Sequence, residues 1–526
     1  MNTIKLSDFK RENDTKTFAT AMNYMKEHPK TTLIVEPGIY DITTEQARTA
    51  QTAVMNGDFG DNPEKTMFNP DYKYSRGISF ECQKGSTIIA YGVTLIIDGF
   101  MEPISITDCE DIEIQGLTID HKRKPYSKGI VTTISEPDEN GICKYVVKLN
   151  KYCPITERTP INLRCAFFNS SEDQVIRAKP KAEFVNTYEI LLSMQKNDRI
   201  HVGTEYYTIH TYHSRPAILL ERCKNISLTN VTIHSQPGMG TVGNRCENVL
   251  LSGLSVIPSA GDRWSTNTDA THFTSMKGTL RYENCRFEGQ GDDSSNVHTY
   301  YHAITEKESD TVCTIQEKTP SGTHAQTLDY PDEGDTLELT DINTLQTIDK
   351  FKVLNVYPNH NKMNCKVVLD HPLPSNTENL VFADITRLPR LELINCYAEK
   401  HFARGFLVKC REALIEGNTF KNIPLAGIEA AAESYWYEGV TPSNIVIRRN
   451  RIVNCGMGIL VKSDCKNPKG QSIFNITVED NLIDCPDAEY GIYAKNIDGL
   501  TIKRNKIAVK GTDIECVDCV NVKKEV

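Results

Sequence analysis

Ile112-Glu-Ile-Gln-Gly-Leu-Thr-Ile119 returns in the same frame as Ile226-Ser-Leu-Thr-Asn-Val-Thr-Ile233 and Val249-Leu-Leu-Ser-Gly-Leu-Ser-Val256. Further copies run from Leu280 to Phe287, Ala413 to Phe420, Ile445 to Ile452, Ile476 to Ile483 and Leu500 to Ile507. Each reads apolar, x, apolar, x, small or polar, x, x, apolar. Two apolar residues at period 2 make a short strand with one buried face. The Gly or Asn that follows suits a bend, because both tolerate left-handed backbone. A second short strand then resumes.

The fifth frame position falls at Gly116, Asn230, Gly253, Asn284, Asn395, Gly417, Arg449, Asp480 and Arg504, in steps of 114, 23, 31, 111, 22, 32, 31 and 24. Steps of 22 to 32 suit one coil of a parallel β-helix, each coil stacking on its neighbours. The two long steps demand insertions, and Lys144 to Leu149, Glu183 to Leu192 and Lys350 to Val356 alternate as strands inside them. The expected fold is therefore all-β: a right-handed parallel β-helix (solenoid) with two inserted small β-barrel-like domains. The expected plan is a cap and first coils over 1–120 and an inserted β domain over 121–210. Coils carrying the site follow over 211–299, then a second insert over 300–388 and C-terminal coils over 389–526. An amphipathic helix from Phe18 to Met25, followed by a strand from Thr32 to Val35, would cover the open end of the solenoid. Cys109, Cys223, Cys246 and Cys410 precede their frames at a common place and read as an inward structural stack.

Composition sets outer limits. The 526 residues hold 69 acidic and 59 basic side chains, a formal charge of −10. That balance argues against non-specific nucleic-acid binding and against an anionic membrane surface. The most apolar stretch, Ser86 to Phe100, is broken by Gly92 and Asp98, so no membrane span is expected. The opening MNTIKLSDFKRENDTKTF has no apolar core of a secretory signal, which gives a cytoplasmic expectation with the 17 cysteines reduced. A dimer or trimer is an open expectation for a solenoid with lateral faces to bury.

The densest chemistry lies in Asp262-Arg-Trp-Ser-Thr-Asn-Thr-Asp-Ala-Thr-His-Phe273 and Glu288-Gly-Gln-Gly-Asp-Asp-Ser-Ser-Asn-Val-His298. Aligned as successive coils, they put Asp269 on Asp293 at a step of 24. Coils lie about 4.8 Å apart, so two such carboxylates can share one water. Asp292 starts from the other side of the backbone but can be brought into the same cleft by a bend. Inverting glycoside hydrolysis needs an acid for the leaving oxygen and a carboxylate base about 6.5–9.5 Å away for the water. Asp292 is assigned as the acid and the Asp269/Asp293 pair as the base, with the exchange of Asp292 and Asp293 left open. A calcium site or turn residues are the bland alternative. No cofactor is expected, and no metal, since no CxxC pair accompanies a histidine pair.

At these residues the chain resembles glycoside hydrolase family 110, α-1,3-galactosidases of blood-group-B-type and linear α-galactosyl ends. The similar segments are Val93 to Tyr126, Asp269 to Phe273 (DATHF), Gly289 to His298 (GQGDDSSNVH) and Arg404 to Glu438. The resemblance implies a β-helix with two inserted barrels and catalytic aspartates at Asp269, Asp292 and Asp293. A departure lies at Ile428-Glu-Ala-Ala-Ala-Glu-Ser-Tyr-Trp436, where the family is expected to read more like IEGD. A wider resemblance is to polygalacturonases, through Asn-Thr-Asp and Gly-Asp-Asp. Their downstream Gly-His-Gly and Arg-x-Lys signals are not evident.

The expected activity is exo-acting, inverting release of terminal α-1,3-linked galactose from a glycan. A polygalacturonase-like hydrolase, a non-catalytic carbohydrate-binding β-helix and a polysaccharide lyase are the alternatives. Trp264 and Trp436, the two tryptophans, are assigned to sugar stacking, and Arg404 and Glu429 to galactose hydroxyls. His272, Asn296 and His298, beside the aspartates, are assigned to the substrate as well.

Overall fold

The computed structural model describes residues 2–69, 71–169, 175–317 and 328–525. All nine fifth-frame residues, including Arg449, Asp480 and Arg504, have left-handed φ, between +51° and +78°. This bend divides each coil's two short strands and lets both continue in parallel stacks. The stacking is unbroken across both insertions. Ile114 lies beside Leu228, then Leu251, Tyr282, Leu393, Ile415, Ile447, Val478 and Ile502, each one coil further on. All nine are buried in one continuous core. Like side chains stacked at one height exclude water from each other's flanks, so the core runs as a column along the solenoid.

At the N-terminal end, the helix Asp14–Glu27 is capped by Asn13, whose side chain accepts from the Lys16 amide. Its Phe18, Ala21, Met22 and Met25 close the column beside Leu33 on the strand Thr31–Ile34. The seventeen cysteines are free thiols, and most point inward. The Cys223 amide donates to Cys246 Sγ at 3.4 Å, and the Cys455 amide to Cys485 Sγ at 3.3 Å.

The first insertion forms a seven-stranded antiparallel sheet, from Tyr126–Ile134 to Glu205–Ile209, around its own core. The second is a ring of six antiparallel strands that closes on itself. One of its members, Ser295–Lys307, begins as a solenoid strand between Thr271–Thr274 and Phe406–Val408 and then runs out into the ring. The two inserts leave the solenoid on either side of the coils that carry Asp269 and Asp293.

Candidate active site

Asp269, Asp293 and Arg404 stand one above another, each just before a solenoid strand. The Ala270 amide donates to Asp293 O at 3.0 Å, and the Ser294 amide to Arg404 O at 3.2 Å. Asp292 and Asp293 lie in a bend, and the bend turns both side chains into one cleft. One carboxylate oxygen from each of Asp269, Asp292 and Asp293 lies within 4.8 Å of the others. The preceding Gly291 is required by close approach. A Cβ there would come within 2.1 Å of Asn267 O and 2.8 Å of the Trp264 ring.

Each carboxylate has its own partners. Asp269 Oδ1 accepts from the Asp293 amide at 3.1 Å, and its Oδ2 faces His272 Nδ1 at 2.8 Å. Asp293 Oδ1 accepts from the Arg404 amide at 2.7 Å and Nε at 3.0 Å, and its Oδ2 from Nη2 at 2.9 Å. Asp292 Oδ2 pairs with Arg164 at 2.9 Å, and its side chain keeps 30% of its exposure. Asp269 and Asp293 are buried.

These surroundings separate the two neighbours electrostatically. Burial pushes Asp293 up to about 8; Arg404 opposes this, and the charges of Asp292 and Asp269 add to it. Burial also pushes Asp292 up, but Arg164 and then Arg404 outweigh it and hold Asp292 below the usual carboxylate range. Three carboxylates this close cannot all ionise cheaply, so the cluster holds one proton near neutrality, and titration belongs to the group. On the exchange left open between the two neighbours, burial favours the proton on Asp293, while Arg164, arriving from the first insert, favours the carboxylate form of Asp292. The three also cluster tightly, each offering an oxygen within 4.8 Å of the others, where the expected layout set acid and base apart.

The other assigned residues divide. Trp264 is 1% exposed and packs with Tyr126, Phe168 and Tyr207 between solenoid and first insert, so it is no sugar platform. Trp436 is 38% exposed and meets Tyr435 edge-on on the turn Ser434–Trp436. Arg404 spends its donors on Asp293 and, through Nη1, on Glu433 at 2.8 Å, rather than on an open pocket. Glu429 lies 3.8 Å from Arg404, and burial raises its pKa. Asn296 and His298 are buried: Asn296 binds Glu438 at 3.1 Å and Lys409 at 3.0 Å, while His298 faces His272 at 2.8 Å. Neither is placed to meet a sugar directly.

Sequence reading missed Arg164, Lys409, Glu433 and Glu438. Lys409 is buried between Glu438 at 2.7 Å and Glu433 at 3.0 Å. Burial works against the charge of Glu438, but Lys409 beside it holds it well below the usual range. A lysine one coil beyond His298 in an otherwise apolar run was an available signal. Arg164 carried none, since only docking of the insert brings it to Asp292. It also lies over the rings of Tyr212 and Phe402, at 5.1 and 4.9 Å. Donor atoms of His272, His298 and Glu438 converge as well; in the two clusters Arg164, Arg404 and Lys409 already pair with Asp292, Asp293 and Glu438.

Fold and site define a parallel β-helix protein carrying a cluster of three aspartates, two of them paired with arginines. A family model described as "Right handed beta helix region" matches residues 389–524. The chain is 26% identical to alpha-1,3-galactosidase A of Bacteroides thetaiotaomicron, covering 90% of this chain and 86% of that protein. It is also 26% identical to an alpha-1,3-galactosidase B of Phocaeicola vulgatus, over 91% and 84% of the two chains. Among solved structures, a family 28 exopolygalacturonase of Yersinia enterocolitica aligns with a TM-score of 0.44 at 11% identity, over 99% of this chain and 78% of that one.

Proposed function

We propose that this protein is a glycoside hydrolase of family 110 that releases terminal α-1,3-linked galactose from blood-group-B-type or linear glycans. The observation that carries the reading is the trio itself. It combines one stored proton, one solvent-reaching carboxylate and a pair of carboxylates stacked one coil apart, within a chain related to α-1,3-galactosidases over nine-tenths of its length.

The roles follow from reach and hydrogen bonding. Asp292 is the trio member open to the cleft, so it delivers the proton to the glycosidic oxygen, drawing on the proton that the cluster holds on Asp293 at rest. Asp269 and Asp293 hold the attacking water and take one of its protons, which restores the cluster. One proton leaves with the departing sugar and one returns from water. Both oxygens of Asp269 and of Asp293 take part in polar contacts, which fix the two carboxylates and leave their remaining lone pairs to bind a water. That favours water as the nucleophile and a single, inverting displacement despite the short spacing. Trp436 and Tyr435 supply an exposed aromatic edge for a sugar face.

The test is galactose release from a blood-group-B oligosaccharide and from linear α-1,3-galactobiose, with polygalacturonate as control. Proton NMR in the first seconds reads the anomer. β-Galactose appearing first supports inversion, whereas α-galactose overturns it. Activity on polygalacturonate alone overturns the substrate assignment.

A further inference from the structure

His272 and His298 face each other across one coil, Nε2 to Nε2, at 2.8 Å, with ring centroids 4.9 Å apart and nearly perpendicular planes. Two nitrogen lone pairs do not approach that closely without a proton between them. The other contacts assign it. His298 Nδ1 lies 3.0 Å from Thr299 O, and a carbonyl can only accept, so that nitrogen carries hydrogen. Burial keeps His298 neutral, with a pKa lowered to about 3, so its Nε2 is a bare acceptor. The shared proton therefore belongs to His272 Nε2. On its other edge, His272 Nδ1 meets Asp269 Oδ2 at 2.8 Å. With these two contacts His272 bridges Asp269 to His298 in a fixed orientation.

We propose that His272 and His298 form a positioning pair that acts through Asp269: His298 locks the ring of His272, and His272 fixes the carboxylate that orients the attacking water. The proposal rests on Asp269 being part of the water-binding base. Glu438, 3.8 Å from His298 Nε2 and itself bound to Lys409, encloses the far side of the pair. The Asp293 amide holds the remaining oxygen of Asp269, so His272 is what keeps the carboxylate from rotating. A sugar-binding histidine would show an outward donor. His298 has none, since it is buried and both its nitrogens are engaged.

The test compares His298→Leu with His298→Gln, measuring kcat and KM separately on the galactoside. Leu removes the acceptor, while Gln keeps one within reach. His298→Leu is expected to lower kcat about tenfold to hundredfold, the worth of a hydrogen bond in a charged network, with KM changed less than about threefold. His298→Gln is expected to recover most of that kcat. Nitrogen-15 NMR of the wild type is expected to show both ring nitrogens of His272 engaged, and His298→Leu to lose that pattern. A rise in KM at constant kcat, or equal loss in both variants, overturns the pairing. Asp269→Asn keeps the underlying reading separate. If it is inactive while both His298 variants match wild type, the inference fails and the base assignment stands. If it is fully active, the base assignment fails.

Discussion

Two stacks in the same solenoid solve the same geometrical problem with opposite chemistry. In the C-terminal coils, Asn418, Asn450, Asn481 and Asn505 repeat one residue at one height. Asn418 Oδ1 accepts from the Cys396 amide and each later Oδ1 from the amide of the preceding member, while Nδ2 of Asn418, Asn450 and Asn481 also donates to the next member's Oδ1. In the catalytic coils the column instead reads Asp269, Asp293, Arg404: unlike residues, two of one sign and one of the other. A neutral ladder satisfies itself and adds rigidity. A charged one leaves a proton to be shared and depends on partners outside the solenoid. Stacking geometry thus supports the coil in one place and tunes acidity in the other.

The most damaging way to break the charged column is to neutralise it in place. Asp293→Asn and Asp269→Asn should each cut kcat by about 10² to 10⁴, the usual loss on removing general acid–base assistance. Circular dichroism and the thermal midpoint should show the fold kept. More than about a tenth of wild-type activity in either variant would contradict the base assignment. Asp292→Asn should suffer a similar loss on glycans but keep activity within about tenfold on α-galactosyl fluoride, whose leaving group needs no proton. Equal losses on both substrates would take the acid role away from Asp292.

The comparison also explains what could be read in advance. The neutral architecture was legible because it repeats. Gly116, Asn230 and Arg504 mark the same bend although Arg504 has the wrong side chain for it, since period and apolar pattern outweigh local preference. The stacking of Asp269 on Asp293 was legible for the same reason, as a step of one coil. The charged partners were not. Arg164 comes from an insert whose docking leaves no trace in the repeat, and it favours the carboxylate form of Asp292. Trp264 was misread because aromatic character does not tell a platform from the packing between domains.

The stored proton gives the charged column a pH signature that the asparagine ladder lacks. Asp293 is raised in the folded protein to about 8, and under the proposed mechanism the proton it holds is the one used in turnover. As pH rises through about 8 that proton leaves, so kcat/KM should fall by up to about tenfold per unit beyond it. The sign for stability is the same. A carboxyl raised above its unfolded value near 4 contributes stability that is full below that value. It is lost progressively as pH rises, completely once past about 8. Asp384, also raised to about 8, acts alike in wild type and variant and cancels in their difference. Urea midpoints at pH 5, 7 and 9 should therefore decline more in wild type than in Asp293→Asn. Parallel declines would show that Asp293 does not hold the proton.

The smallest effect should come from the neutral ladder, and it should appear in stability alone. Asn450 Oδ1 accepts from the amide and Nδ2 of Asn418, and its Nδ2 donates to Ile415 O and Asn481 Oδ1. All four contacts are buried, so Asn450→Ala takes partners from two donors of Asn418 and from the Ile415 carbonyl on the same coil, while Asn481 Oδ1 keeps the amide of residue 450. Each buried group left unpaired costs about 1–3 kcal/mol, partly recovered if water enters the space. The urea midpoint should fall at an unchanged slope, because the surface exposed on unfolding is nearly the same. Activity at 25 °C should match wild type, because Asn450 lies one coil beyond Asn418 and joins none of the charged residues around Asp293. A lower slope would mean that the C-terminal coils had come to unfold separately from the rest. A lower kcat with the midpoint unchanged would instead couple the neutral ladder to the charged column, and the division between them would fall.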